Sequence, residues 1–240
     1  MEESALLSVV VPAFREGETI FASLQELLAA LAEFGVPFEV IVVSDGNSDA
    51  TTSEAGRHPE VRVLSYEINR GKGFALRHGF AHARGTMVAF IDADNELHPR
   101  GLRPLLALIE AGADVAIGSK RHPDSIVRYP ASRRFQSAVY QLAVRTLFRL
   151  GVRDTQTGIK VMRAEWLQKV LPGLRSDGFA IDLEMLVALH DAGAKIVEGP
   201  IELDYSFAST TSPAARWEVV KETLLIWRRR HGRGRRVRSS

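Results

Sequence analysis

The 240-residue chain contains no cysteine. That absence excludes a disulfide scaffold, a thiolate zinc site and a cysteine nucleophile. No run of about 18 apolar residues exists, so no segment reads as a transmembrane helix. The stretch Met1-Glu2-Glu3-Ser4-Ala5-Leu6-Leu7-Ser8 lacks the basic start and longer apolar core of a secretory signal, and a cytoplasmic location is expected. There is no internal repeat, and nothing of low complexity precedes the last dozen residues. No basic groove interleaved with aromatics is evident either, which argues against nucleic acid as a partner.

What is present is ordinary for a soluble domain: 45% hydrophobic and 25% charged residues, in a length that buries a sizeable core. The net charge of +2 hides an asymmetry. Residues 228–240 hold seven of the 31 basic residues and no acid, leaving 24 basic against 29 acidic side chains elsewhere. An acidic body at −5 therefore carries a +7 tail, and only the tail suggests an anionic partner.

Short apolar runs at residues 6–11, 38–43, 61–65, 86–91 and 114–117 read as buried strands. Helical periodicity fills the intervals at 19–34, 48–57, 73–83 and 100–110. This alternation predicts an α/β fold: a doubly wound, mainly parallel sheet with helices on both faces, in a single domain. Residues 119–134 read as a loop, 135–150 as an amphipathic helix and 159–162 as a short strand. Helices follow at 164–171 and 181–192, then an extended segment at 195–205. One domain over residues 1–212 is expected, with a C-terminal amphipathic helix at 213–230 and a basic, disordered tail at 231–240.

In an open α/β sheet, ligands bind beyond the carboxyl ends of the strands. The fourth strand ends in Asp92-Ala93-Asp94-Asn95-Glu96. Alternate residues of an extended chain share a side, so Asp92, Asp94 and Glu96 could converge. Three oxygen donors without His or Cys suit Mg²⁺ or Mn²⁺ carried with a diphosphate. The alternative is a solvated acidic turn capping the next helix. Asp45 closes the second strand, where a carboxylate can accept from a base or ribose, while Ser48 or Asp49 beyond it can cap the next helix. Gly71-Lys72-Gly73 opens a helix and could hold phosphate; the alternative is a flexible turn, because the P-loop spacing is absent.

Four clusters, in order, resemble the family 2 glycosyltransferases of GT-A fold. Val9-Val10-Val11-Pro12-Ala13-Phe14-Arg15-Glu16 is similar to that family's opening strand and nucleotide-contacting turn. Val40 to Thr51 resembles its second strand and Asp-Gly-Ser-x-Asp segment, and Asp92-Ala93-Asp94 its Asp-x-Asp metal motif. Gly118-Ser119-Lys120-Arg121, Arg133 and Ser137, Arg153-Asp154-Thr155-Gln156-Thr157-Gly158-Ile159-Lys160 and Phe179-Ala180-Ile181-Asp182-Leu183-Glu184 resemble polyprenyl-phosphate sugar synthases. There are departures: Ser44 stands for the first Asp of the usual pair, Lys120 for Arg, and Thr157 for Cys.

The resemblance implies an inverting, metal-dependent transfer of a hexose from a nucleotide sugar, best UDP-glucose, to a dolichyl or undecaprenyl phosphate. It implies nucleotide contacts from Pro12, Phe14, Glu16, Asp45, Lys72 and Asp92. Metal ligation falls to Asp92, Asp94 and Glu96. Acceptor-phosphate contacts fall to Lys120, Arg121, Arg133, Arg134 and Ser137, and catalytic roles to Asp94, Arg121, Arg133, Asp154 and Asp182. Asp182 could instead be a first-turn residue complementing a helix dipole, and Arg133 and Arg134 a solvated helix start. Lys160 reads as exposed and receives no role. Alternatives are a GDP-mannose-dependent mannosyltransferase, a hydroxyl acceptor, a catalytically dead sugar-binding relative, and an Asp-x-Asp phosphatase, which Asn95-Glu96 fits poorly. Trp217, Val220, Leu224 and Trp227 share one helical face, followed by Arg228, Arg229 and Arg230. That pattern predicts peripheral attachment to an anionic membrane surface, at its cytoplasmic face.

Overall fold

A computed structural model of the chain describes residues 6–46, 49–94, 96–128, 131–204 and 213–236. Within that set, the side chains of 131–139, 204, 213–216 and 232–236 lie outside the described residues. The strands are β1 (Leu7–Ala13), β2 (Phe38–Asp45), β3 (Val61–Tyr66), β4 (Met87–Ile91), β5 (Val115–Gly118), β6 (Ile126–Arg128), β7 (Ile159–Arg163), β8 (Ile196–Gly199) and β9 (Glu202–Asp204). The helices are α1 (Ile20–Ala32), α2 (Thr51–Ala55), α3 (Lys72–His82), α4 (Leu102–Glu110), α5 (Ala131–Phe148), α6 (Ala164–Val170), α7 (Ile181–Asp191) and α8 (Pro213–Arg236).

Seven strands form one sheet in the order β3-β2-β1-β4-β7-β5-β8. Strands β1, β2 and β4 are near-continuous Val/Ile runs because helices cover both sheet faces, and each buried Val or Ile contributes roughly 1.5–3 kcal/mol. One core lies under α1 and α4, with Leu24, Leu27, Leu102 and Leu106 against the sheet. The other lies under α3, α6 and α7, joined by Phe148 of α5 and Ile226 of α8. The expected doubly wound sheet is therefore present.

All sheet neighbours are parallel except β7, which runs antiparallel between β4 and β5, with Val161 opposite both Ala89 and Ala116. Reversal of β7 places the residues before Ile159 at the same edge as the carboxyl ends of β1, β2, β3, β4 and β5.

Several boundaries differ from the sequence reading. The stretch 119–134 is not all loop: Ile126–Arg128 forms β6, which pairs with β9 in a separate parallel ribbon. Helix α5 begins at Ala131 rather than 135, because its first turn is polar and invisible to hydrophobic periodicity. The extended segment at 195–205 breaks at Pro200 into strands of two different sheets. The expected helix at 48–57 shrinks to Thr51–Ala55.

Helix α8 continues to Arg236, six residues beyond expectation, since arginine is a good helix former and no proline intervenes. Its outward face is also different. Trp217, Val220, Leu224 and Leu225 are exposed, but Trp227 packs against the core and His231. Arg229 pairs with Glu184 at 3.0 Å, and Arg230 bonds Asp191 at 2.6 Å and the Phe148 carbonyl at 2.7 Å. Of the arginines 228–230, two thus hold the helix to the body rather than facing outward. No helix among the described residues is long and apolar enough to cross a membrane.

Candidate active site

The carboxyl end of β4 delivers Asp92 into a buried chain of alternating charge. Lys72, the first residue of α3, places Nζ 2.7 and 3.0 Å from the two oxygens of Asp92. The same ammonium lies 3.2 Å from Asp182 at the start of α7. Lys160, the second residue of β7, donates to the other Asp182 oxygen and to the Thr157 carbonyl, the latter at 2.6 Å. The order is Asp92, Lys72, Asp182, Lys160. The Asp92 amide donates to the Gly158 carbonyl at 3.0 Å, and any Cβ at Gly158 would fall on the Asp92 carboxylate.

Two sequence expectations change here. Lys160 is fully buried rather than exposed. A lysine flanked by Ile159, Val161 and Met162 in a strand covered on both faces must be paired, and that flanking was the available signal. Lys72 sits on Asp92 and Asp182, and the start of its helix is not an open phosphate cradle. The Gly73 and Phe74 amides already donate to the Asp177 carbonyl, at 2.7 and 3.3 Å.

Burial and charge set the protonation of this chain. Burial pushes the Asp92 carboxyl up; Lys72 opposes this, and the charges of Asp182 and Asp94 add to the rise. Burial would also raise Asp182, but Lys160 and Lys72 more than offset it and hold the carboxyl below its ordinary range. For Lys72, desolvation is outweighed by Asp182 and Asp92, so the ammonium is held above its usual range. For Lys160, desolvation wins over the attraction of Asp182, and its value is lowered.

Asp94 stands at the rim, open to solvent on one side. Crowding by surrounding atoms still lifts its carboxyl; the Glu96 amide and Lys72 oppose this, and the nearby Glu16 charge adds to it. Glu96 does not join Asp92 and Asp94 as a third ligand. The strand alternation ends at Ile91, the chain turns through Asp94, and the Glu96 amide donates back to Asp94 at 3.2 Å. Among the described residues no three His, Cys, Asp or Glu side chains converge as a metal cage. Two carboxylates remain, a donor set that fits a hard divalent cation completed by phosphate oxygens. Beside them the buried Thr157 hydroxyl has no hydrogen-bond partner, so a ligand oxygen there would satisfy it.

Asp45 is taken up by its own surroundings. One oxygen accepts from Tyr66 Oη at 2.9 Å and the Arg70 amide at 2.7 Å. The other accepts from Asn69 Nδ2 at 2.9 Å and the Gly71 amide at 2.8 Å. Those four donors fill the carboxylate's lone-pair directions, so Asp45 shapes the loop leading to Lys72 instead of offering a free acceptor to a nucleotide.

Pro12, next to last in β1, is half-buried, and Phe14 just past the strand is exposed. Arg15 adopts a left-handed backbone with φ of 59°, and its guanidinium lies 5.1 Å from the Phe14 ring centre. Glu16 accepts from Thr19 Oγ1 at 2.7 Å. Asp49 ties this turn to α2 through the Gly17 amide at 3.0 Å and the Thr51 hydroxyl at 2.6 Å.

Beyond β5, Lys120 and Arg121 form a cationic turn. Asp154 is buried and accepts from the Lys120 amide at 3.1 Å, with Lys120 Nζ 3.9 Å from the same oxygen. Asp154 therefore orients the Lys120 turn. Its own amide and that of Arg153 donate to Glu198 at 2.9 and 2.8 Å. The side chains of Arg133, Arg134 and Ser137 lie outside the described residues; their backbone occupies the first two turns of α5.

This arrangement has relatives. The profile of glycosyl transferase family 2 matches residues 8–171. The dolichyl-phosphate β-glucosyltransferase of Drosophila melanogaster is 33% identical over 246 residues, spanning 92% of this chain and 74% of that enzyme. The enzyme of the same name from Saccharomyces cerevisiae is 29% identical, spanning 83% of this chain and 67% of its own length. Glycosyltransferase AglD of Haloferax volcanii is 32% identical over 82% of this chain, which spans 32% of that larger protein. Among solved structures, glucosyl-3-phosphoglycerate synthase of Mycobacterium tuberculosis, in complex with Mn²⁺, UDP and phosphoglyceric acid, superimposes with a TM-score of 0.73. It is 20% identical and the match covers 94% of this chain and 78% of that one, so the likeness is one of fold. Its GT-A architecture is the one described above. The chain belongs to the family 2 glycosyltransferases and is a glycosyltransferase.

Proposed function

We propose that the chain transfers glucose from UDP-glucose to a polyprenyl phosphate, in an inverting, divalent-cation-dependent reaction. The observation that carries this reading is the Asp92–Lys72–Asp182–Lys160 chain at the β4/β7 edge, with Asp94 at its mouth. The names of the dolichyl-phosphate relatives support the sugar and the acceptor, and the Mn²⁺ and UDP of the solved neighbour support the donor class.

In this reading Asp92 and Asp94 hold Mg²⁺ or Mn²⁺, which when bound supplies charge compensation for the departing diphosphate. Pro12, Phe14 and Glu16 border the nucleotide. Lys72, paired with Asp92 and Asp182, supplies a fixed cation beside the diphosphate. Asp182, kept ionised by two lysines, faces the sugar. The acceptor phosphate is largely ionised near neutral pH, with a second pKa of about 6, so no strong general base is required. Lys120, Arg121, Arg133, Arg134 and Ser137 position and neutralise it, and Asp154 keeps the Lys120 turn in place. A single in-line displacement converts an α-linked donor into a β-linked lipid phosphate.

Radiolabel transfer from UDP-glucose to a short polyprenyl phosphate tests the proposal, with GDP-mannose as the competing donor. Asp94→Ala is expected to lower turnover by about 10²–10³-fold. Retained turnover in that variant, with metal present, would sink the assignment.

A lipid acceptor also requires membrane contact. Trp217, Val220, Leu224 and Leu225 on the outward face of α8 supply the apolar surface, with Arg228 and the arginines after residue 230 supplying charge. The paired change Trp217→Ser and Leu224→Ser is expected to abolish sedimentation with phosphatidylcholine–phosphatidylglycerol vesicles while leaving the melting temperature unchanged. Undiminished sedimentation would exclude this face.

A further inference from the structure

The inward face of α8 has an unassigned job. Helix α7 starts at Ile181, and its cap position is Ala180, which has no side chain able to accept a hydrogen bond. The missing cap arrives from another helix. Glu222 of α8 accepts from the Ala180 amide at 3.1 Å with one oxygen and from the Gly178 amide at 3.3 Å with the other. A Cβ at Gly178 would stand 2.9 Å from Glu222, so the approach is fitted to glycine. A carboxylate there also complements the positive end of the α7 dipole.

The segment held by Glu222 touches both halves of the buried charge chain. Its Asp177 carbonyl caps α3, the helix that begins with Lys72. Two residues past Ala180 comes Asp182, which pairs with Lys72 and Lys160. On its other side the segment is held by Glu184, which accepts from the Arg175 and Ser176 amides at 2.8 and 2.6 Å and is itself paired with Arg229 of α8. Helix α8 therefore holds residues 178–180 directly through Glu222, and residues 175–176 indirectly through Arg229 on Glu184.

We infer that Glu222 is a positioning residue for sugar transfer: by capping α7 from outside, it fixes where Asp182 stands relative to Lys72. Small displacements at such a site are costly to turnover, because reacting groups must be held in register. The inference rests on the role given to Asp182 in the proposed reaction.

The test compares Glu222→Ala with Glu222→Gln in the full chain. Glu222→Ala is expected to speed amide exchange across residues 175–182 at least tenfold and to lower kcat at least tenfold, with KM for UDP-glucose within twofold of wild type. Glu222→Gln, whose side-chain oxygen still accepts, is expected to keep exchange and kcat within threefold of wild type. Should Glu222→Ala fail to fold, Glu222→Asp, with its carboxylate drawn back by one methylene, is expected to give an intermediate loss of both. Wild-type kcat in Glu222→Ala, or a loss confined to KM, overturns the inference. A wild-type chain that transfers no sugar refutes the proposed reaction instead, and exchange at 175–182 then decides whether Glu222 positions the segment.

Discussion

Asp182→Asn is expected to lose stability and turnover together. Asp182 is 2% exposed and Lys160 not at all, so the amide leaves a buried ammonium without its counter-charge. Breaking one partner of a buried pair costs about 3–5 kcal/mol. For a chain of this size that corresponds to a fall in melting temperature on the order of 10 °C. The pH dependence has a definite sign. Burial already holds the Lys160 ammonium below its ordinary range, so folding releases protons from it and stability rises with pH across the interval between the folded and unfolded values. Removing Asp182 widens that interval downward. The deficit of the variant should therefore shrink as pH is raised from about 7 toward about 10. In the wild type, Asp182 is held below its ordinary range, so its contribution is complete above the usual carboxylate values and disappears on acidification. Melting curves at acidic, neutral and alkaline pH check both; an unchanged melting temperature at pH 7 would mean that Lys160 does not need Asp182.

Gly158→Ala is expected to spare the fold and stop the chemistry. The added methyl would fall on the Asp92 carboxylate, which Lys72 holds on its other side while the Gly158 carbonyl fixes the Asp92 amide. Overpacking of this kind costs about 1–3 kcal/mol, a modest part of the stability of a domain. A displacement of about 1 Å at a reacting centre, however, can lower turnover 10²-fold. The expected pattern is a native circular dichroism spectrum, a melting temperature lower by a few degrees, and a loss of kcat of about two orders of magnitude. Full activity in Gly158→Ala would show that Asp92 can be moved without consequence.

The two variants probe features of unequal legibility. Asp92 was readable, because an apolar run ending in a carboxylate at a sheet edge is a local pattern. So was the sheet itself, through the strands of residues 7–118. The place of β7 was not readable, since an apolar pentapeptide does not state its partners or its direction. Lys160 was missed for that reason: its environment depends on β4 and β5 lying on either side. The same holds for Asp45, whose four donors come from residues 66–71, and for Glu222, which acts more than forty residues from the amides it binds. Glu96 was over-read, because strand alternation was extended past the point where the chain turns. On α8 the periodicity was correct, but it could not say that Trp227 faces inward and Trp217 outward.

The position of β7 also dictates an order of assembly. The parallel half β3-β2-β1-β4 needs nothing beyond Ile91 and can pair as it is synthesised. Strand β5 comes next along the chain, yet neither of its sheet neighbours exists until Ile159 has been made. During that interval β4 presents an open edge, the kind of surface that recruits other chains. Closure then requires a contact between segments about seventy residues apart, which is slow compared with local pairing. Asp92 and the Lys72 that pairs with it are made early, but Gly158, which packs against the carboxylate, arrives only with the last strand to enter the middle of the sheet. A nascent chain is therefore most open to aggregation just before it acquires the site, and a chaperone that binds this protein should favour chains ending between residues 118 and 159.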